Sequence, residues 1–366
     1  MEPSAKKIYF NNAATTPLLT RVRRKVLNCD VRGAFVPGAI TESGRRANAI
    51  LSKARKVVAD MIGAKPEEII FTSGGAESNA MAITTGMLMA NSVLIAKNMG
   101  ARDTVLIQAT SHQSVISSAG NLRKHLWGAQ YIIMPCDEKG FVEAPDVRRA
   151  RKSVMMSVIL TNNETGAVQD VREIAERCRE QGVLLHVDAV QSFGKMETSV
   201  DKLGCDLMSI SSHKIGGPAG VGALYVRGGV KAHPLIGGSD IQEFGIRGGT
   251  PNMEGIVGFM YACIYSKLDD KAGSVHMSMA GFMDGISDEV RSGSLIINTP
   301  SESWSGGILS VTVPGVDAEA FVLLLDEMGL EISPGAACHG GSKSPSHVLK
   351  SMGLSDEDAL STVRIS

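Results

Sequence analysis

At 366 residues and 43% hydrophobic content, the chain can bury a sizeable core and has the length of two domains. Its 37 Lys and Arg offset 38 Asp and Glu to a formal charge of −1, so it lacks the basic footprint of a direct nucleic-acid or anionic-membrane binder, and a small-molecule substrate is expected. No apolar run is long enough to cross a bilayer, the first ten residues hold no apolar signal core, and the six cysteines include no Cys-x-x-Cys pair, which together point to a cytoplasmic protein with reduced thiols and no metal site.

Short strand-like runs alternate with helix-like segments. A helical pattern at about 43–62 is followed by a strand at Glu68–Thr72, a helix at about 76–90, a strand at Thr104–Gln108, a helix at about 112–125, and strands at Gln130–Met134 and Val154–Leu160. A helix at about 170–181 and strands at Val183–Val187, Asp206–Ile210 and Val221–Val226 complete the series. This alternation predicts a mostly parallel sheet flanked by helices. Val221–Val226 follows its predecessor too closely for a helical crossover, so it is expected to run antiparallel. From about residue 253 the pattern changes to a long helical stretch (Glu254 to about Ser292), strand-like runs at Ser294–Ile297 and Gly307–Val313, a helix at Asp317–Met328 and a glycine-rich loop. The expected division is a large domain over 12–252 and a smaller α+β domain over 253–366, joined by 1–11.

The chemistry-bearing residues fall at strand ends. Asp188 closes the run Val183–Val187, and Ser211, His213 and Lys214 follow Asp206–Ile210. Open α/β sheets bind ligands at such C-terminal strand ends. A lysine for a Schiff base, a carboxylate for a pyridinium nitrogen and hydroxyl or imidazole donors for a phosphate are what pyridoxal phosphate requires. Each has a plainer reading, since a lone lysine after a strand is usually a solvated surface residue and an Asp there is as often a turn former. The ordered pair of motifs is what favours the cofactor. Phe71-Thr72-Ser73-Gly74-Gly75-Ala76-Glu77-Ser78-Asn79 reads as strand, glycine turn and helix start, and a helix N-terminus offers free N–H groups to a phosphate. His112, just past Thr104–Gln108, suits either a helix cap or a ring-stacking proton shuttle. Asn163, in Thr161-Asn162-Asn163-Glu164-Thr165-Gly166, suits a plain turn or a contact to the cofactor oxygen or a substrate carboxylate. Cys338 lies in Ile332-Ser333-Pro334-Gly335-Ala336-Ala337-Cys338-His339-Gly340-Gly341, where small residues and glycines favour an accessible, travelling thiolate over a packed one.

Over essentially its whole length the chain resembles the class V aminotransferase-like branch of fold type I pyridoxal phosphate enzymes, and specifically the cysteine desulfurases of the NifS/IscS kind. The resemblance rests on Tyr9-Phe10-Asn11-Asn12-Ala13-Ala14-Thr15-Thr16-Pro17, the Thr72–Asn79 element, Asn162-Asn163-Glu164-Thr165-Gly166, His186-Val187-Asp188-Ala189-Val190-Gln191-Ser192, the Ser-x-His-Lys element and Arg247-Gly248-Gly249-Thr250, in the family's order. It implies an α/β fold with a mixed, mostly parallel sheet. It makes Lys214 the Schiff-base lysine, Asp188 the partner of the pyridinium nitrogen, Gln191 the partner of the ring hydroxyl and His112 the stacking ring. Gly75, Ala76, Ser211 and His213 would hold the phosphate, joined by Thr250 from the other subunit of a homodimer. Asn163 and Arg364 match the binders of the substrate carboxylate, and Cys338 matches the cysteine that takes sulfur from L-cysteine as a persulfide and passes it to an acceptor such as an iron–sulfur scaffold.

Several positions depart from the family pattern. Ala76 stands where a threonine is frequent, Asn11 replaces a frequent aspartate, and Ala34–Thr41 lacks the usual Asn and His. A selenocysteine lyase shares the scaffold and a similar cysteine loop. A class V aminotransferase would have no use for Cys338, and a non-catalytic scaffold subunit would have no use for Lys214, Asp188, His112 and Cys338 together.

Overall fold

In the computed structural model, residues 7–29, 36–95, 102–126, 128–268, 271–335 and 344–366 are described here. A seven-stranded sheet forms the centre, in the spatial order Ile69–Thr72, Gly222–Val226, Leu207–Ser211, Leu184–Asp188, Ser153–Ile159, Thr104–Gln108, Gln130–Met134. The last five are mutually parallel, and Gly222–Val226 runs antiparallel to both of its neighbours, as its short connection requires. The chain moves outward from Thr104–Gln108 in one direction and, from Ser153–Ile159, in the other. That reversal opens a crevice beyond the C-terminal ends of these two strands.

Residues along the central strands are buried on both faces, so they read as near-continuous apolar runs. Period-2 geometry still divides them. Val105, Ile107, Met155, Leu207 and Leu224 pack against Met81, Ile83 and Met87 of the helix Gly75–Ile95. Leu106, Met156, Val158, Leu185, Val187, Met208 and Ile210 face the opposite way, into a cluster with Val58 and Ile62 of Glu42–Ile62, Ile174 and Cys178 of Arg172–Glu180, and Ile256, Phe259 and Met260 of Met253–Leu268. Phe193 and Phe259 meet edge to face at 5.8 Å within it. Gly75–Ile95 carries apolar residues all round, and Met81 to Met87 are buried without a break. Glu42–Ile62 is bounded by Thr41, whose hydroxyl accepts from Gly44 N–H at 3.2 Å, and by Gly63 in the left-handed region at φ 69°.

A four-stranded antiparallel sheet, in the order Ser333–Pro334, Thr362–Ile365, Leu309–Thr312, Ile296–Ile297, builds a second cluster with Met279, Ala318 and Ile332. Ile8–Tyr9 pairs in parallel with Leu330–Glu331, tying the N-terminal segment to this part. The helical stretch expected over 254–292 is present as three helices, Met253–Leu268, Lys271–Gly285 and Ser287–Ser292. The second break falls where Gly285 and the non-helical Ile286 (φ −105°, ψ 12°) interrupt the ladder. The first of the three packs into the large cluster with Glu42–Ile62. The short strands Ile8–Tyr9, Leu330–Glu331, Ser333–Pro334 and Thr362–Ile365 show no readable period and were not expected.

Candidate active site

The crevice holds a cavity of about 360 Å³ lined by Ala13, Ala14, Gly75, Ala76, Asn79, His112, Ile159, Asn163, Asp188, Val190, Gln191, His213, Lys214 and Arg364. The parallel strands supply most of it: Thr104–Gln108 leads to His112, Ser153–Ile159 to Asn163, Leu184–Asp188 to Asp188 and Gln191, and Leu207–Ser211 to His213 and Lys214. Arg364 arrives from the second sheet through the short strand Thr362–Ile365. Gly75 begins its helix so close to the Asp188 turn that a Cβ there would lie 2.5 Å from Val190 Cγ2. Only glycine lets this helix end reach the cavity floor.

Asp188 is 3% exposed, and both carboxylate oxygens are held. Asn79 Nδ2 donates to Oδ2 at 2.7 Å and Val190 N–H to Oδ1 at 3.0 Å. Asn79 Nδ2 also donates to Ser114 Oγ at 3.0 Å, and Ser114 Oγ lies 2.8 Å from His112 Nδ1. His112 Nδ1 accepts the Ser114 N–H at 3.1 Å as the N-cap of Gln113–Arg123, so the neutral ring carries its proton on Nε2. The cap reading and the cavity reading of this histidine are thus both realised. Burial lowers the His112 pKa, Lys214 and His347 lower it further, and Asp188 opposes them, which keeps the imidazole neutral near neutrality.

Lys214, 9% exposed, donates to the carbonyls of Ala13 and Ala14, the latter at 2.7 Å. Burial first, then repulsion by Lys195 and Arg364, brings its pKa from 10.5 to about 7 against the pull of Asp188. His213 Nδ1 lies 3.1 Å from Thr15 Oγ1, and burial together with Lys214 and Lys195 brings that imidazole down to about 4. The N-terminal segment is stitched over the floor, with Gln191 Nε2 donating to Ala13 O at 2.7 Å and Thr16 Oγ1 to His213 O at 2.8 Å. Arg364, 8% exposed, donates to Asn163 O at 3.0 Å and Asn11 Oδ1 at 2.9 Å. Asn11, at the position where the family often has an aspartate, therefore holds this guanidinium without neutralising it. Beside it, Ser346 donates to the buried Glu164, whose pKa is raised by burial, and His347 Nε2 donates to Ser111 O at 2.9 Å.

Of the sequence-predicted residues, Gly75, Ala76, His112, Asn163, Asp188, Gln191, His213, Lys214 and Arg364 line this one cavity. Ser211 is buried beneath it, and Thr250 is exposed and does not line the cavity of its own chain. Cys338 lies outside the described residues. Sequence reasoning assigned no role to Asn79, Asn11 or the Ala13 and Ala14 carbonyls. Asn79 had a usable signal, since it follows Gly75 by four residues and so shares its helix face. The carbonyls had none, because backbone contacts leave no mark on residue type.

The match of the Aminotransferase class-V family model spans residues 8–366. The chain belongs to that family. Cysteine desulfurase IscS of Dictyoglomus turgidum is 34% identical to this family member over 98% of the chain and 89% of that protein. A mitosomal cysteine desulfurase of Trachipleistophora hominis is 36% identical over 98% of the chain and 81% of that protein. Among solved structures, a NifS-like protein superposes with a TM-score of 0.84 at 29% identity, covering 98% of this chain and 93% of that one. SspA in complex with cysteine superposes at 0.81 with 30% identity over 99% and 98%. The likeness covers 98% of the chain and agrees with the mixed, mostly parallel α/β architecture expected from the sequence.

The family depends on pyridoxal phosphate, and the cavity suits that group. Asn79 Oδ1, Asn163 Oδ1 and Arg364 Nε, all on lining residues, are buried with no hydrogen-bond partner among the described residues. Orphaned polar atoms at a cavity are what a polar ligand satisfies. A helix N-terminus, two neutral imidazoles, a fixed carboxylate and a lysine whose pKa is brought down to about 7 complete a set of groups for a phosphate, a pyridine nitrogen and an aldehyde. No group of His, Cys, Asp and Glu suited to a metal ion occurs among the described residues. No helix among them is long and apolar enough to cross a membrane.

Proposed function

We propose that the protein is a cysteine desulfurase that holds pyridoxal 5′-phosphate on Lys214 and converts L-cysteine to L-alanine, passing the sulfur to Cys338. The convergence of Lys214, Asp188, the Gly75 helix end and Arg364 on one cavity carries this reading. When bound, the cofactor supplies an electron sink that makes the substrate Cα proton acidic and the Cβ–S bond labile.

The residues divide the remaining work. Asp188, held by Asn79 and Val190, keeps a negative charge at the pyridine nitrogen. Gly75 and Ala76 N–H groups, Ser211, His213 and, from the second subunit of a homodimer, Thr250 hold the phosphate. Gln191 would meet the ring hydroxyl, and the His112 ring would lie against the cofactor with its Nε2 proton available. Arg364 and Asn163 take the substrate carboxylate. Lys214 Nζ, titrating at about 7, is available in its uncharged form to act as nucleophile and to accept the Cα proton. The Cys338 thiolate attacks the substrate sulfur. The Cβ–S bond breaks, an S–S bond forms, and Cβ gains a proton, so the exchange balances without an outside oxidant.

We place the enzyme in the cytoplasm, as a two-domain chain divided at 252/253, with an iron–sulfur scaffold as sulfur acceptor. The test is to incubate the yellow full-length protein with L-cysteine and a thiol and to quantify alanine and sulfide. Equal amounts of the two are expected, and no alanine from protein loaded with cofactor would overturn the reading.

A further inference from the structure

The segment Ser239–Thr250 is held in a conformation that its own residues disfavour. Glu243 (φ 42°) and Phe244 (φ 57°) are the only non-glycine residues with positive φ among those described, and Gly245 (φ 76°) continues the left-handed run. L-residues seldom enter this region, and such strain persists only where surroundings over-determine it. What over-determines it here is a buried ion pair. Arg55, from Glu42–Ile62, donates to both Glu243 oxygens at 2.7 Å, with the two side chains 9% and 3% exposed.

The pair is built into the free edge of the large sheet. Ile69–Thr72 is an edge strand, bonded only to Gly222–Val226. Its other side is occupied by this pair: Glu243 Oε2 accepts the Phe71 N–H at 2.7 Å, and Arg55 donates to the Ile69 carbonyl. The guanidinium also lies between two rings, 5.0 Å from that of Phe71 and 4.9 Å from that of Phe244. Phe71 belongs to the strand that runs directly into Ser73, Gly74 and the Gly75 helix end.

A second tether fixes the far side of the segment. Arg247 Nε donates to Glu77 Oε1 at 2.9 Å, while Glu77 Oε2 accepts the Ser73 N–H at 2.7 Å. Outside the tethers the two ends of the loop touch backbone to backbone, since a Cβ on Gly248 would lie 2.1 Å from Gly237 O. Gln242 Oε1 accepts the Gly249 N–H at 3.0 Å, immediately before Thr250. Thr250 is therefore the exposed tip of a braced unit whose foundations are the strand and helix of the phosphate cradle.

We infer that Arg55 and Glu243 are positioning residues: their ion pair forces the Glu243–Phe244 turn and so presents Thr250, in fixed register with one subunit's cradle, to the cofactor phosphate of the other. This rests on the role given to Thr250 above. It couples the two phosphate sites of a dimer through the edge strand.

The test combines two readouts on the full-length protein: pyridoxal phosphate retention by equilibrium dialysis, and hydrogen exchange of 236–250. Glu243→Gln and the charge-conserving Arg55→Lys should each accelerate exchange of that segment and weaken cofactor binding about tenfold. Arg55→Lys keeps the fold available should Glu243→Gln accumulate poorly. Combined with Thr250→Ala, either variant should add little to the loss caused by Thr250→Ala alone, because both act through that residue. Losses that add would make the pair a general stability element and overturn the inference. Wild-type exchange and affinity in both clamp variants, with Thr250→Ala weakened, would overturn this inference alone. Thr250→Ala at wild-type affinity would overturn the neighbour-site reading with it.

Discussion

Raising the pH from about 6 to about 8 should switch on capture of pyridoxal phosphate by the cofactor-free protein, because the Lys214 amine titrates at about 7 rather than 10.5. At pH 8 an ordinary lysine amine is about 0.3% uncharged, whereas one titrating at about 7 is about 90% uncharged. Stopped-flow absorbance of the bound cofactor should show a rate that rises about tenfold per pH unit below neutrality and levels off by about pH 8. The same displacement governs stability. The unfolded chain keeps this proton up to about 10.5 and the folded chain releases it at about 7, so the unfolded state binds more protons across that window and stability rises with pH through it. The burial cost is complete below about pH 7, at about 5 kcal/mol, and has fallen to about 2 kcal/mol by pH 9. Lys214→Met removes the ammonium, so it should raise the urea midpoint of the cofactor-free chain more at pH 6 than at pH 9 while abolishing capture. A capture rate that keeps climbing tenfold per unit to pH 10, or equal stabilisation by Lys214→Met at both pH values, would refute this account.

Asp188→Asn should lower kcat for alanine formation by about 100-fold or more, since a neutral amide does not hold a proton on the pyridine nitrogen. Asn79→Ala removes one charge-assisted hydrogen bond from that carboxylate, and about 1.5 kcal/mol of lost support predicts roughly a tenfold fall in the same assay. Arg364→Lys should raise KM for L-cysteine about tenfold or more with a smaller effect on kcat, because an ammonium does not reproduce the guanidinium fork held by Asn163 and Asn11; an unchanged KM would remove Arg364 from the substrate site. Cys338→Ala should bind substrate and stop before sulfur release from cysteine, as product assays on L-cysteine and L-selenocysteine would show; retained activity on selenocysteine alone would favour a lyase. Light scattering should find a dimer, and turnover by a monomer would contradict the shared phosphate site.

The central layer was legible because its signals are local. The strands of the central sheet carry short apolar runs between polar or turn residues, so Thr104–Gln108 and Gln130–Met134 were bounded to the residue, and Ser153–Ile159 and Leu184–Asp188 within one position. Lys214, Asp188, His112 and Gly75 could be named because cofactor chemistry restricts residue type and each stands at a strand end. The stretch from Glu254 to about Ser292 was legible as helical but its division at Gly285 and Ile286 was not, because a single glycine is tolerated inside a helix and the dihedrals of Ile286 leave no mark on residue type.

Tertiary structure alone decided how the pieces meet. Thr362–Ile365 is too short to carry a pattern, yet its pairing with Leu309–Thr312 is what delivers Arg364 to a cavity whose other walls lie more than a hundred residues earlier. The Ala13 and Ala14 carbonyls that hold Lys214, the Asn79–Ser114 relay between Asp188 and His112, and the strained turn locked by Arg55 and Glu243 are likewise products of long-range packing. Sequence determines which groups are available, since that depends on side-chain chemistry and short-range period. Their pKa values and partners depend on burial and distance, which exist only once the chain has closed on itself.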